Sequence, residues 1–161
     1  MAKRIASDLK LPIFDLDQIG LDQQKDGRPT DAMSAEVIRV AALGQWVTEG
    51  TYMGWALPLF DRATCVVWLD VAWRTASYRI ISRHIKATVA RNNRFPGWRR
   101  LYEFWRWSSR YYNDRNPPGL NMWGVPMTRA EARSLLEPYR EKLIICRSRA
   151  DIVDLTKRFS R

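Results

Sequence analysis

Cys65-Val66-Val67-Trp68-Leu69-Asp70 is an almost continuous apolar run closed by a carboxylate. A strand of a parallel sheet covered on both faces reads this way, because neither face meets water and no alternation is imposed. Upstream, Ile13-Phe14-Asp15-Leu16-Asp17 and Gln45-Trp46-Val47-Thr48-Glu49-Gly50 are shorter strand-like runs that also finish on acids, the second stopped by glycine. Downstream, Leu143-Ile144-Ile145-Cys146 is a last apolar run. Between these runs the apolar period becomes helical. Ile5 and Leu9 are spaced i, i+4 in residues 2–10, and Met33, Val37, Val40, Ala41 and Leu43 mark one buried face, with Thr30 or Ser34 as candidate caps. Ala76, Ile80, Ile81, Ile85 and Val89 mark another from Trp73 to about Asn92. Further helices are expected around Leu57 to Asp61, over the aromatic and basic stretch Trp98 to Asn113, after a Thr128-to-Glu131 capping box, and over Ala150 to Phe159. Strands alternating with helices predict an α/β fold: one parallel sheet over residues 12–16, 45–49, 65–69 and 143–146, flanked by helices in three layers.

The 161 residues suit one domain, and 46% apolar content is enough for a normal core. No apolar run is long enough to span a bilayer, and Met1-Ala2-Lys3-Arg4 leads into a polar stretch unlike a secretory signal. A cytoplasmic protein with no membrane partner is the expectation. Cys65 and Cys146 are far apart with no C-x-x-C, and His84 is the only histidine, so buried thiols in a reducing compartment are expected.

The net charge is +10, and it is concentrated. Residues 74–115 hold eleven basic side chains against Glu103 and Asp114, or +9, which leaves +1 for the rest of the chain. One basic stretch in a neutral domain implies an anionic partner met at one place, either phosphate-bearing nucleotide or a nucleic-acid backbone. Ligands of open parallel sheets bind outside the carboxyl ends of the strands, where Asp17, Glu49 and Asp70 are expected to converge. One such acid by itself serves as well for a helix cap or a turn. Three of them facing a cationic segment fit a magnesium-phosphate site.

The order of these segments resembles a known family. Ala2-Lys3-Arg4-Ile5-Ala6-Ser7-Asp8-Leu9-Lys10-Leu11-Pro12 with Ile13-Phe14-Asp15-Leu16-Asp17 resembles the first helix and second strand of adenylate-kinase-like P-loop kinases, most closely the small group labelled topology modulation proteins. Trp46-Val47-Thr48-Glu49-Gly50-Thr51-Tyr52 resembles that group's W-[VI]-x-D-G-N-Y strand end. Asp61 to Asp70, continued by Arg79-Ile80-Ile81-Ser82-Arg83, resembles its A-D-x-[VI]-[IV]-W-L-D and paired R-x-x-x-R, and Ile144 to Ile152 its last strand and the turn beside adenine. The resemblance covers essentially the whole chain.

It implies an ATP- and magnesium-dependent phosphotransferase acting on a nucleotide or similar acceptor. Asp17 matches the acceptor-side acid, and Arg79 and Arg83 the arginines that clamp the transferring phosphate. Glu49 and Gly50 match the pair whose acid holds magnesium through water, here with Glu for Asp; Asp70 is the second metal-side acid, and Arg147 the residue beside adenine. Residues 74–115 become a helical lid. The P-loop G-x-x-x-x-G-K-[ST], which holds the β- and γ-phosphates, does not occur in these residues. The matching helix opens the chain, so a reading frame truncated upstream, weak or inactive by itself, is favoured over a degenerate relative. In the family the missing first strand is central, between the third and fourth, and its loss leaves two inner edges unpaired or forced together. The second reading is a non-catalytic nucleic-acid module. Interleaved aromatics and arginines over Trp98 to Tyr112 suit single-stranded nucleic acid, while packing of Leu101, Trp105 and Tyr112 on the core is the competing use of the same helix.

Overall fold

All four expected strands form in the computed structural model, which describes residues 1–20, 29–93, 95–113 and 115–159. The loop read through Asp26, Gly27 and Arg28, together with Arg94 and Asp114 of the basic segment, lies outside the described residues. The strands are β1 (Ile13–Asp15), β2 (Val47–Glu49), β3 (Val66–Leu69) and β4 (Leu143–Cys146). The helices are α1 (Ala2–Leu9), α2 (Leu16–Gly20), α3 (Thr30–Ala41), α4 (Leu57–Arg62), α5 (Trp73–Val89), α6 (Trp98–Arg110), α7 (Arg129–Leu136) and α8 (Arg149–Phe159). A 3-10 turn over Glu137–Lys142 feeds β4. Neither Thr30 nor Ser34 caps α3, which starts behind Pro29 with no side-chain cap. The Thr128 hydroxyl does cap α7, accepting from the Glu131 N–H at 3.0 Å.

Pairing is parallel, as the apolar runs predicted, but it builds two sheets and not one. β1 pairs with β2, Ile13 opposite Val47 and Asp15 opposite Glu49. β3 pairs with β4, Val66 opposite Leu143 and Leu69 opposite Cys146. No strand among the described residues joins β2 to β3, so each strand has one strand neighbour and one edge that no strand pairs. The expectation of strands covered on both faces is corrected with it: Leu69, Ile145 and Ile13 are 44%, 37% and 36% exposed.

Helices and side chains hold the two pairs together. α1 packs on β1, β2 and α8, and α8 packs on β4. The larger core gathers Leu16, Ile19, Met33, Val37, Val40, Trp55 and Leu59, and a smaller one holds Met53, Val66 and Leu136; Phe60 of α4 packs against both. Trp55 Nε1–H donates to the Trp123 carbonyl at 3.1 Å, and the N–H groups of Met53 and Gly54 to that of Gly124, which ties the loop before α7 to this centre.

α5 departs most from its sequence pattern. None of its residues is fully buried, and Ile81, Ile85 and Val89 are 38%, 43% and 79% exposed. Its main partner is α6, through Trp105 Nε1–H donating to Ser77 Oγ at 2.6 Å and Trp73 lying 5.3 Å from the rings of both Trp105 and Tyr112. α5 and α6 thus form a helical hairpin set largely outside the two cores. No helix of the described residues is long and apolar enough to cross a membrane. Cys65 is half-buried and Cys146 buried, and neither is in a disulfide.

Leu59 is 3% exposed on the short helix that joins the cores. Leu59→Ala is expected to lower the unfolding free energy by about 2–5 kcal/mol, read as a lower urea midpoint with an unchanged m-value.

Candidate functional site

Parallel register places the carboxyl ends of paired strands side by side, and this builds two polar groups. At the end of β1 and β2, Asp15 stands opposite Glu49. The Asp15 Oδ1 accepts the Asp17 N–H at 2.9 Å as the chain turns into α2. Burial pushes the Tyr52 hydroxyl up to about 12, helped by its hydrogen bond to the Asp17 carboxylate and by the charge of Asp15. Gly50 has a φ of 150°, and a Cβ there would stand 2.6 Å from that of Leu16. Close approach of the two strand exits therefore requires this glycine. Asp17, Glu49 and Gly50 are brought together, and Tyr52 joins them.

At the end of β3 and β4 the geometry is different. Asp70 is 3% exposed, and a carboxylate so buried stays charged only with partners. Arg129 provides a bidentate one, with Nε on Oδ1 and Nη2 on Oδ2 at 2.6 Å, and Arg147 Nε lies 3.7 Å from Oδ2. The β3–β4 register predicts the second contact, since Leu69 opposite Cys146 sets Asp70 beside Arg147. The hydrogen bonds to Asp70 hold the Arg129 guanidinium above its ordinary value. The Arg129 backbone N–H donates to the Tyr111 carbonyl at 2.7 Å, fastening the end of the hairpin to the same point. Burial raises the Tyr112 hydroxyl, the Asp70 charge adds to this, and Arg129 and Arg79 oppose it. Arg79 is thus within electrostatic reach of the Asp70 group.

Arg79 also opens a groove of about 670 Å³ along α5, lined by Arg79, Ser82, Arg83, Lys86 and Asn92 together with Ile80, Ala87 and Ala90. Spacing of i, i+4 and i+7 sets Arg79, Arg83 and Lys86 on one helix face. No salt bridge within the described residues neutralises any of the three.

The sequence grouped Asp17, Glu49 and Asp70 in one crevice, with Glu49 and Asp70 on the metal and Asp17 on the acceptor side. The structure sets Asp17 and Glu49 at one strand pair and Asp70 at the other, where two guanidiniums occupy its oxygens. No cluster of three or more His, Cys, Asp or Glu placed to hold a metal occurs among the described residues. Arg129, Tyr52 and Lys86 were missed. Arg129 had a signal: a cation in the first turn of a helix opposes the helix dipole and needs another reason to be there. Ser148 and Asp151, which follow Arg147, form a reciprocal cap on α8: Asp151 Oδ2 accepts the Ser148 N–H at 3.0 Å and Ser148 Oγ the Asp151 N–H at 3.1 Å. Their S-x-x-D spacing is legible in sequence. No family model, no curated protein and no solved structure matches the chain.

Removing Arg129 leaves the buried Asp70 carboxylate to the longer contact with Arg147. Arg129→Ala is expected to cost about 2–4 kcal/mol, below the full value for a buried pair because the guanidinium is partly wet; Asp70→Asn combined with Arg129→Ala should recover part of that loss in a double-mutant cycle. Hydrogen bonds from Ser148 and the Arg147 N–H lower the Asp151 pKa. A carboxylate with a lowered folded value stabilises the fold above its unfolded value and loses that contribution as pH falls through the folded one. The stability gap between the wild type and Asp151→Asn should therefore be widest near neutrality and close below about pH 4, followed by circular dichroism.

Proposed function

We propose that this chain carries the acceptor side and lid of an ATP-dependent phosphotransferase of the adenylate-kinase-like type. The observation that carries the reading is the α5 groove: Arg79, Arg83 and Lys86 line one open channel with no salt bridge to an acid among the described residues, and Arg79 at its start acts electrostatically on Tyr112 near the Asp70–Arg129 pair. Unpaired cations in a groove repel one another, and a polyphosphate relieves that repulsion. Arg79 and Arg83 neutralise the transferring phosphoryl group, Lys86 extends the track, and Asp17 with Tyr52 receives the acceptor. Asp70 is a positioning residue that holds Arg129 and Arg147, the latter toward the adenine.

The carboxylates of Asp17 and Glu49 are hard oxygen donors of the kind magnesium takes, and Glu49 would hold the ion through water. Magnesium bound there would offset the charge of the phosphates. The split between β2 and β3 supports the resemblance as well, because that is where the resembled family's central first strand lies; on this reading the two pairs are flanks of one three-layer parallel sheet. The tight phosphate loop is not contained in these 161 residues, so nucleotide binding by them is weak.

Titration calorimetry at low ionic strength tests this. Mg-ATP and inorganic tripolyphosphate should each bind the 161-residue chain with affinity on the order of millimolar, since a missing P-loop forfeits several charge-assisted contacts at about 1.5–3 kcal/mol each. The double substitution Arg79→Ala, Arg83→Ala should weaken tripolyphosphate by roughly tenfold or more. Equal affinity in the wild type and the double variant would overturn the groove assignment, and micromolar Mg-ATP binding would overturn the role given to the missing loop.

A further inference from the structure

α6 presents far more aromatic surface than its packing uses. It meets α5 through Trp105, whose indole N–H is bonded to Ser77 and whose ring lies 5.3 Å from Trp73, and through Trp98, 5.9 Å from the His84 ring, and Leu101 is its one buried residue. Trp98, Tyr102, Phe104 and Trp107 are left 71%, 57%, 44% and 49% exposed. Water-facing rings in this number on one 13-residue helix mark a contact surface, because they contribute little to the fold where they stand.

Their arrangement is specific. Phe104 and Trp107 are one helical turn apart with ring centroids at 5.9 Å and planes 28° apart, a stacked pair of exposed rings. Arg100 lies at i−4 from Phe104 and shares that face. Trp98 and Tyr102, spaced i, i+4, lie 5.9 Å from the His84 ring of α5 and 6.4 Å from the Trp105 ring, respectively, and both stay exposed. Of the four arginines of α6, Arg99 is held by Glu103 at 2.9 Å, while Arg100, Arg106 and Arg110 are exposed with no salt bridge among the described residues.

We propose that α6 is a binding surface for single-stranded nucleic acid, with no strong sequence preference. Phe104 and Trp107 stack on bases, Trp98 and Tyr102 provide a second stacking position, and Arg100, Arg106 and Arg110 meet phosphates. Charge complementarity selects this occupant, because the cations interleave with the rings as an alternation of bases and phosphates requires. A helix lying in a membrane surface keeps one continuous apolar face for the acyl chains and its cations on the other; here Leu101 is buried and Trp105 is bonded to α5, so neither is offered to a bilayer. A second copy of the chain would bring two +9 segments together and is disfavoured by repulsion. The surface uses none of the groove residues Arg79, Arg83 and Lys86, so it stands or falls independently of the phosphotransferase reading.

Fluorescence anisotropy with a labelled 12-nucleotide oligothymidine, on the full 161-residue chain across a salt series, tests the proposal. Phe104→Ala and Trp107→Ala should each weaken binding by about tenfold, as lost base stacking does, and both positions are exposed enough for the fold to tolerate the change. Arg100→Ala and Arg106→Ala should each reduce the magnitude of the slope of log affinity against log salt by about 0.7. The Arg79→Ala, Arg83→Ala variant should keep oligothymidine affinity within about twofold, whatever it does to tripolyphosphate. Unchanged binding in the Phe104 and Trp107 variants would overturn the proposal. So would equal affinity for a duplex of the same length, or loss of oligonucleotide binding to competing anionic phosphatidylglycerol vesicles that the ring variants no longer bind.

Discussion

A buried carboxylate at the end of β3 organises this molecule. Burying the Asp70 carboxylate strips it of water, and the cations that offset this come from elements distant in the chain. Arg129 opens α7, Arg147 leaves β4, and the Arg129 backbone is tied to Tyr111 at the end of the helical hairpin. One charge therefore fixes the exit of the second strand pair, the start of α7 and the foot of the hairpin relative to one another. The hairpin has few other anchors, since α5 buries no residue fully and α6 buries only Leu101.

The rest of the architecture follows from two separate strand pairs. Two-stranded parallel pairs are weak alone, so stability rests on helices that reach from one pair to the other and on side chains shared between two cores. α1 and α8 do the first and Phe60 the second. The exposed Leu69, Ile145 and Ile13 are the residue of this arrangement: apolar side chains suited to a covered sheet, in a sheet that these residues leave partly bare.

The cations that α5 and α6 carry stand on two surfaces with different chemistry. On α5 the cations line a groove without aromatic rings, suited to a compact, highly charged anion. On α6 they alternate with exposed rings, suited to a polymer that offers both charge and flat apolar surface. The charge total alone does not separate the two surfaces, because they differ in what stands between the arginines.

Local order was legible in the sequence. The four strands, the helices from α3 to α8 and the Thr128 cap each depend on residues within a few positions of one another, and period and capping chemistry report such short-range preferences directly. The acids at the strand ends were legible for the same reason, as was the nearness of Asp17, Glu49 and Gly50 once β1 and β2 are paired. What Asp70 does was not, because its partner Arg129 is 59 residues away and no local pattern records a contact of that range. The stripe Ile81, Ile85 and Val89 has the period of a buried face, yet period reports which side chains share a face and not whether anything covers it; with α6 as its main partner, α5 leaves that stripe partly in water. Apolar runs likewise predicted parallel strands, but whether four strands make one sheet depends on backbone hydrogen bonds between segments far apart in the chain, and only the tertiary structure decided that there are two.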